Sequence, residues 1–484
     1  MVLRPSTTPP PRDRGPTTAA RSPSIEVVGT EEATVTIDGK ELDRRTLLRR
    51  AGLLAGTGAL AGLVGCEPDR APQRVAAAPS GWPGVRARFE LDPSKRHFAA
   101  FVLASHPRPV AEAIEQHRRG LQADADGYLE DHGQRLDRQA RSAAAEYLAD
   151  GPGPGGRGPD PGQVAFTRST TEGLGLLYGG LRLRPGQEVV TTTHDFYATA
   201  EALRLRAERT GARVRRISLY DDPAAVSSDR LVAAVRRGLG PRARVLALTW
   251  VHSGTGVKLP LAEICAAVAE RNRDRDPADR VLVCADAVHA LGVEPEAVPT
   301  LGCDFLVAGC HKWLFGPRGT GLVWGRRDAW AEVTGTVPSF DGRAIGAWIG
   351  GRDPAGPRWA LFEPGGFHTY EHRWALAEAF RFHLELGKQS VAERTRALAG
   401  RLKDGLAAMP RVRLVTPRDP ALSAGIVCLE VEGMSPGEAV AALRRQGVLA
   451  SVTPYARPYL RLGPSIVTSE EDVDAAVGAI RGLV

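Results

Sequence analysis

No Cys-x-x-Cys pair occurs in the 484 residues, whose six cysteines (66, 265, 284, 303, 310 and 428) stand singly. That spacing offers neither a disulfide framework nor a thiolate metal centre. Cys265, Cys284 and Cys428 fall inside apolar helix or strand patterns and read as core thiols. Charge of one sign is also scarce in any single place. The net charge is +7, no basic cluster interleaves with aromatics, and no nucleic-acid partner is expected. The uncharged run 51–65 is too short to span a bilayer. What remains is ordinary globular material, 43% hydrophobic and 25% charged, long enough for two domains with sizeable cores.

Residues 1–24 are rich in Pro, Thr, Ser and Arg and read as disordered. Then Arg44 and Arg45, followed by Thr46, Leu47 and Leu48, precede the uncharged run. This resembles a twin-arginine export signal with its apolar h-region. The segment LVGC ending on Cys66 resembles a lipoprotein cleavage box, which would leave Cys66 lipidated and the mature protein held at a membrane surface. A buried Ala/Gly-rich helix is the plain alternative. Export to the periplasm or cell surface by the twin-arginine machinery is the expectation, with lipid anchoring through Cys66 left open.

Beyond a connecting arm the chain alternates. Helical patterns over 109–124 and 133–149 lead to a strand at 164–167. Strands expected at 188–194, 213–219, 245–250, 281–286 and 305–309 are separated by helices of about ten residues or more. Continuously apolar strands between helices indicate a mostly parallel sheet covered on both faces, an α/β fold. Ligands bind such sheets at the C-terminal strand ends. Polar residues gather there: Thr170 and Thr171, His194, His252 or Ser253, Asp286, His289 and Lys312.

Lys312 lies between His311 and Trp313 in DFLVAGCHKWLFGPRGTGL, just past an apolar strand. An amine desolvated there has a lowered pKa and becomes a Schiff-base nucleophile. A surface lysine in a Pro/Gly turn is the competing reading. The TRSTTEG turn presents hydroxyls and free N–H groups at a helix N-terminus, as a phosphate site requires. An ordinary N-cap with Glu172 in the first turn uses the same residue types.

Together TRSTTEG, TTTHDFYA, ADAVHALG, DFLVAGCHKWLFGPRGTG and PYLRLGPS resemble the class V aminotransferase family of fold type I pyridoxal-phosphate enzymes, in its isopenicillin N epimerase-like branch. The resemblance runs from about Phe89 to the C-terminus. It implies pyridoxal 5'-phosphate as cofactor, with Lys312 its Schiff-base lysine and Asp286 paired to the ring nitrogen. It also implies His194 stacked on the ring, His289 beside the phenolic oxygen, Thr170, Thr171 and His311 on the phosphate, and Ser253 within the cofactor set. Arg461 matches the arginine that takes a substrate α-carboxylate. A large cofactor domain (106–365) after an N-terminal arm (67–105), a smaller α+β C-terminal domain (366–484) and a homodimer are implied as well.

Two segments depart from the family pattern. WALFEPGGFHTYEH puts Phe367 and His368 where a glycine-threonine element reaches the partner's phosphate, with Thr369 as a replacement. FVLASHPRPV lacks the Asn-rich turn, leaving Ser105 and His106 as pocket candidates. The expected reaction is transamination or epimerisation at the Cα-amino group of an amino-acid-type substrate. C–S lyase or desulfurase chemistry is the alternative, although no cysteine lies between 310 and 428 to carry a persulfide. A non-catalytic exported binding lipoprotein would have no use for Lys312 and Asp286.

Overall fold

In the computed structural model, which describes residues 35–37, 40–42, 81–149 and 160–484, every strand of the main sheet except one edge strand is buried along its whole length. These are β1 (Val164–Thr167), β2 (Glu188–Thr192), β4 (Ala243–Thr249), β5 (Leu282–Asp286), β6 (Phe305–Gly309) and β7 (Gly321–Gly325). The exception, β3 (Arg213–Ile217), is half exposed and carries three arginines, a charge pattern that keeps an edge from pairing with other chains. The order is β1-β7-β6-β5-β4-β2-β3. Only β7 runs antiparallel to its neighbours. In register, Thr249 lies beside Asp286 and Asp286 beside Val307, so the loops after β4, β5 and β6 leave the sheet at one level. An α/β fold with a mostly parallel sheet is therefore observed. The unit that precedes Gly58 is described only as an antiparallel pair, Val35–Ile37 with Lys40–Leu42, and the arginine pair, the apolar run and Cys66 lie outside the described residues.

Helix α1 (Arg108–Ala123) and helix α2 (Ala125–Ala149) meet at Asp124, whose carboxylate accepts from Gly127 N at 3.0 Å. The second helix thus begins eight residues before the expected Gly133. The capping carboxylate restarts the helix at once, and Gly133 is buried against Trp374 within it. The strand expected to reach His194 ends at Thr192, because the Asp195 carboxylate takes the Thr192 N–H (2.7 Å) and the Thr191 hydroxyl (2.7 Å) and turns the chain. Helix α3 (Thr170–Gly180) lies so close to the sheet that a Cβ at Gly173 would stand 2.6 Å from Val307.

A second sheet, β8 (Val412–Leu414), β9 (Val427–Val431), β10 (Ser451–Val452) and β11 (Leu460–Leu462), is antiparallel in the order β8-β9-β11-β10. Its core holds Leu398, Leu402, Leu429, Leu443, Leu460 and Ile480. The last helix, Glu470–Arg481, starts on a capping box of Ser469 and Asp472, although Thr468 and Glu471 stand at the same spacing one residue earlier. Thr468 Oγ1 is instead a donor to His97 O (3.2 Å) and an acceptor from Ser465 N (3.0 Å). The arm ties the sheets together. Phe98 enters the second core, Phe101 the first, and Ala104 N donates to His311 O at 3.1 Å.

Glu363 anchors the strand that leads into α3. It accepts from Phe166 N (2.9 Å) and pairs with Arg141 and Arg373. Burial alone would raise its pKa, but the two guanidinium groups outweigh it and hold the carboxyl at about 2. Glu363→Ala should therefore cost about 3–5 kcal/mol, the range for leaving a buried partner uncompensated. Denaturant unfolding measures it, and a loss under about 1 kcal/mol would show that the two arginines find other partners.

Candidate active site

Lys312 follows β6 in a turn braced on both sides. Cys310 N donates to Thr320 O (3.0 Å), Phe315 N to Lys312 O (2.9 Å) and Gly316 N to Cys310 O (2.8 Å). Phe315 has φ 55°, the one positive φ at a non-glycine position among the described residues. A backbone of that kind costs about 1–3 kcal/mol and persists only where packing over-determines it. Here Phe89 meets the Phe315 ring at 5.1 Å and His383 stacks on it at 6.3 Å. Below the turn, Gly292 (φ +91°) allows the Trp313 backbone within 2.5 Å of where a Cβ would be, and Trp313 Nε1 donates to His289 Nδ1 (3.3 Å).

The Lys312 amine forms no hydrogen bond or ion pair among the described residues. Burial pulls its pKa down, the Asp286 charge opposes this, and the Arg461 charge adds to it. Asp286, 1% exposed, is pushed in the other direction: burial raises it, while the Val288 N–H (3.0 Å) and Lys312 work against that. A lysine and an aspartate whose environments bring their proton affinities together form a site for moving protons.

At the start of α3 the two readings of the Thr/Ser turn divide between neighbouring residues. Ser169, not a threonine, caps the helix, its hydroxyl accepting from Glu172 N (3.1 Å), while Glu172 accepts from Arg168 N (2.6 Å). Thr170 Oγ1 is buried without a partner. Thr170 Oγ1 and the His311 ring converge beside Gly309, where a Cβ would lie 3.0 and 3.1 Å from them. An orphaned buried hydroxyl at a helix N-terminus is costly alone and is satisfied by a phosphate oxygen. The residues present therefore fit the phosphate of pyridoxal 5'-phosphate. Thr171 is exposed. Thr369 lines a small cavity with Thr167, Arg168, Glu172 and Thr320 of its own chain.

Arg461 is 6% exposed. Its Nε donates to Ser451 Oγ (3.1 Å), its Nη1 to Ser253 O (3.0 Å), and its guanidinium lies 4.3 Å over the Phe101 ring. No Asp or Glu pairs with it among the described residues, and burial lowers its pKa. A buried cation without a carboxylate is the arrangement of a site awaiting an anion. Ser253 Oγ meets Tyr455 OH at 2.9 Å. His194, half-buried, accepts at Nε2 from Leu219 N (3.2 Å) and Tyr220 N (3.4 Å), and burial lowers its pKa to about 3. His289 is neutral for the same reason, its proton on Nε2 because Nδ1 accepts from Trp313.

Thus Thr170, His194, Ser253, Asp286, His289, His311 and Lys312 all stand at the C-terminal edge of the large sheet, and Arg461 reaches them from β11. Sequence reasoning missed Asp195, whose Oδ1 also accepts from Thr249 N (2.7 Å), along with Phe101, Tyr220 and Tyr455. Asp195 and Tyr220 each stand three residues past a strand end, and that position was a usable signal. His106 has an unpartnered Nε2, and burial, with Arg318 and His372 adding, lowers its pKa to about 4.

An aminotransferase class-V family model matches residues 157–455. Isopenicillin N epimerase of Streptomyces clavuligerus is 27% identical over 419 residues, covering 84% of this chain and 99% of its own. A probable cysteine desulfurase of Pseudomonas aeruginosa is 28% identical over 235 residues, 48% of this chain and 53% of its own. Among solved structures, the complex of the cystine C-S lyase C-DES with its reaction product cysteine persulfide has the same fold, with a TM-score of 0.70 at 23% identity over 83% of this chain and 99% of that one. With more than half of its length matched, this chain belongs to the aminotransferase class-V family of pyridoxal-phosphate enzymes.

Proposed function

We propose that the protein acts at the Cα-amino group of an amino acid or an amino-acid-derived substrate, as an aminotransferase or epimerase. The observation that carries this is the buried Arg461 guanidinium without a carboxylate, close enough to the unbonded Lys312 amine to lower its pKa. When bound, pyridoxal 5'-phosphate supplies an electron sink for the pair released as a bond to Cα breaks. Thr170 and His311 would hold its phosphate, Asp286 its ring nitrogen, and His194 and His289 its ring. Lys312 would supply the amine that holds the cofactor's aldehyde end, and its free amine would hold or move the proton at Cα. Arg461 orients the substrate through its α-carboxylate. The length match to isopenicillin N epimerase favours this reading.

C–S lyase chemistry is the second reading, supported by the similarity to cysteine desulfurases. The five described cysteines are all buried, and burial raises the pKa of each thiol. A lyase releasing its persulfide directly fits that better than one carrying it on a protein thiol. Incubation with an amino-acid panel in deuterated water separates the readings: deuterium at Cα for epimerisation, a keto acid for transamination, sulfane sulfur for the lyase.

We also take the chain to work as a homodimer, with Tyr197 and Phe367, 68% and 70% exposed, as large side chains left for a second copy. Export rests on Arg44 and Arg45 before the apolar run.

Borohydride should fix the cofactor to wild-type protein as a secondary amine and fail to do so in Lys312→Ala; trapping that persists would place the nucleophile elsewhere. Because Lys312 loses its proton below the usual lysine range, capture of the aldehyde by apo protein should rise through a lower pH than capture by an exposed lysine. Arg461→Lys should weaken carboxylate substrates by about 1.5–3 kcal/mol, the range for a hydrogen bond to a charged group. Amines lacking the carboxylate should bind unchanged, and equal losses would make Arg461 structural. Finally, Arg44 and Arg45 changed together to Lys should leave active protein in the cytoplasm on fractionation, while wild-type protein found only there would remove the export reading.

A further inference from the structure

Tyr220, in the loop after the edge strand β3, makes three separate attachments around one imidazole. Its ring lies parallel to that of His194, with 3.8 Å between centroids and 10° between planes. Its backbone N–H and that of Leu219 both point at His194 Nε2. Its hydroxyl meets His252 Nδ1 at 2.8 Å and Thr255 Oγ1 at 2.9 Å. The first two act on His194 and the third on Tyr220 itself. The two backbone donors make Nε2 an acceptor and leave the proton on Nδ1. The parallel ring fixes the tilt and occupies one face of the imidazole. The tethered hydroxyl prevents Tyr220 itself from rotating away.

The tether continues into the second sheet. Thr416 Oγ1 donates to Thr255 O (2.7 Å) and accepts from Cys428 N (2.8 Å), and Cys428 is the cross-strand neighbour of Arg461. The stack behind His194 is thus braced against the same strand pair that carries the candidate carboxylate site. His252 is 1% exposed and its Nε2 has no partner, so the polar network is buried at some cost that packing alone does not require.

We propose that Tyr220 is a positioning residue of the cofactor site, holding the His194 ring at the angle from which it stacks on the pyridine ring and itself anchored by His252 and Thr255. This rests on the reading of His194 as the ring-stacking residue. The tyrosine touches neither cofactor nor substrate, so its effect passes wholly through His194.

The test uses the full-length apo protein titrated with pyridoxal 5'-phosphate, reading the dissociation constant and the visible circular dichroism of the bound cofactor. Tyr220→Leu should weaken binding by about tenfold, the upper end for a stacked aromatic pair, and alter the dichroic band. In a His194→Ala background the same change should do nothing further. Tyr220→Phe keeps the stack and loses the tether, so it should bind within about threefold of wild type yet alter the band. It decides the matter if Tyr220→Leu does not fold. Wild-type affinity and dichroism in the Tyr220 variants, with His194→Ala impaired, would overturn the proposal and leave His194 in its role. An equal loss from Tyr220→Leu with and without His194 would also overturn it. No change in His194→Ala would remove the stacking assignment and the proposal together.

Discussion

Two cations buried near each other, with one carboxylate between them in the charge balance, are the constraint on which the site depends. Lys312 and Arg461 both lose hydration, and Asp286 is the acidic group that favours the charged lysine. Taking such ions out of water costs several kcal/mol each unless geometry and hydrogen bonds compensate. The compensation for Arg461 is partial: one serine hydroxyl, one carbonyl and an aromatic face. For Lys312 it is the Asp286 charge, which burial outweighs, so the proton is held less tightly than on an exposed lysine.

A site held at such cost needs a rigid frame, and much of the remaining structure supplies one. The turn after Lys312 keeps a strained phenylalanine because Phe89 and His383 grip its ring. The arm that provides Phe89 goes on to contribute Phe98 to one core and Phe101 to the other before bonding His311. Glu363 fixes the strand before α3 through two arginines. None of these groups touches a reacting atom. Each restricts where a strand end can go, and at separations of a few ångströms that restriction decides whether the amine, ring and carboxylate sites coincide.

The parts of this arrangement legible in the sequence are those fixed by a single strand. A continuously apolar run followed by one polar residue places Asp286, Lys312 and His194 on the same edge, since a parallel sheet aligns its C-terminal ends. The phosphate turn was half legible, because a cap and a phosphate cup call for the same residue types; only the geometry shows Ser169 capping and Thr170 left over. Contacts between distant segments were not legible at all. Tyr455 and Ser253 are 202 positions apart, and Arg461 and Ser253 are 208 apart; no periodicity encodes their meeting. Arg461 was found through resemblance and Tyr455 was missed, although both belong to the β10–β11 hairpin.

The electrostatics of the site carry one more consequence. Arg461's charge is among the causes that lower the Lys312 pKa, while Asp286's charge opposes them. An anion seated on Arg461 neutralises the first influence and leaves the second in place. The sign is then fixed: binding a carboxylate raises the proton affinity of a free Lys312 amine, and by linkage a protonated Lys312 favours the carboxylate. Before an anion arrives the amine gives up its proton more readily than an exposed lysine does. Once an anion is bound there, the same amine holds its proton more tightly. The proton affinity of Lys312 is thus tied to the charge at Arg461.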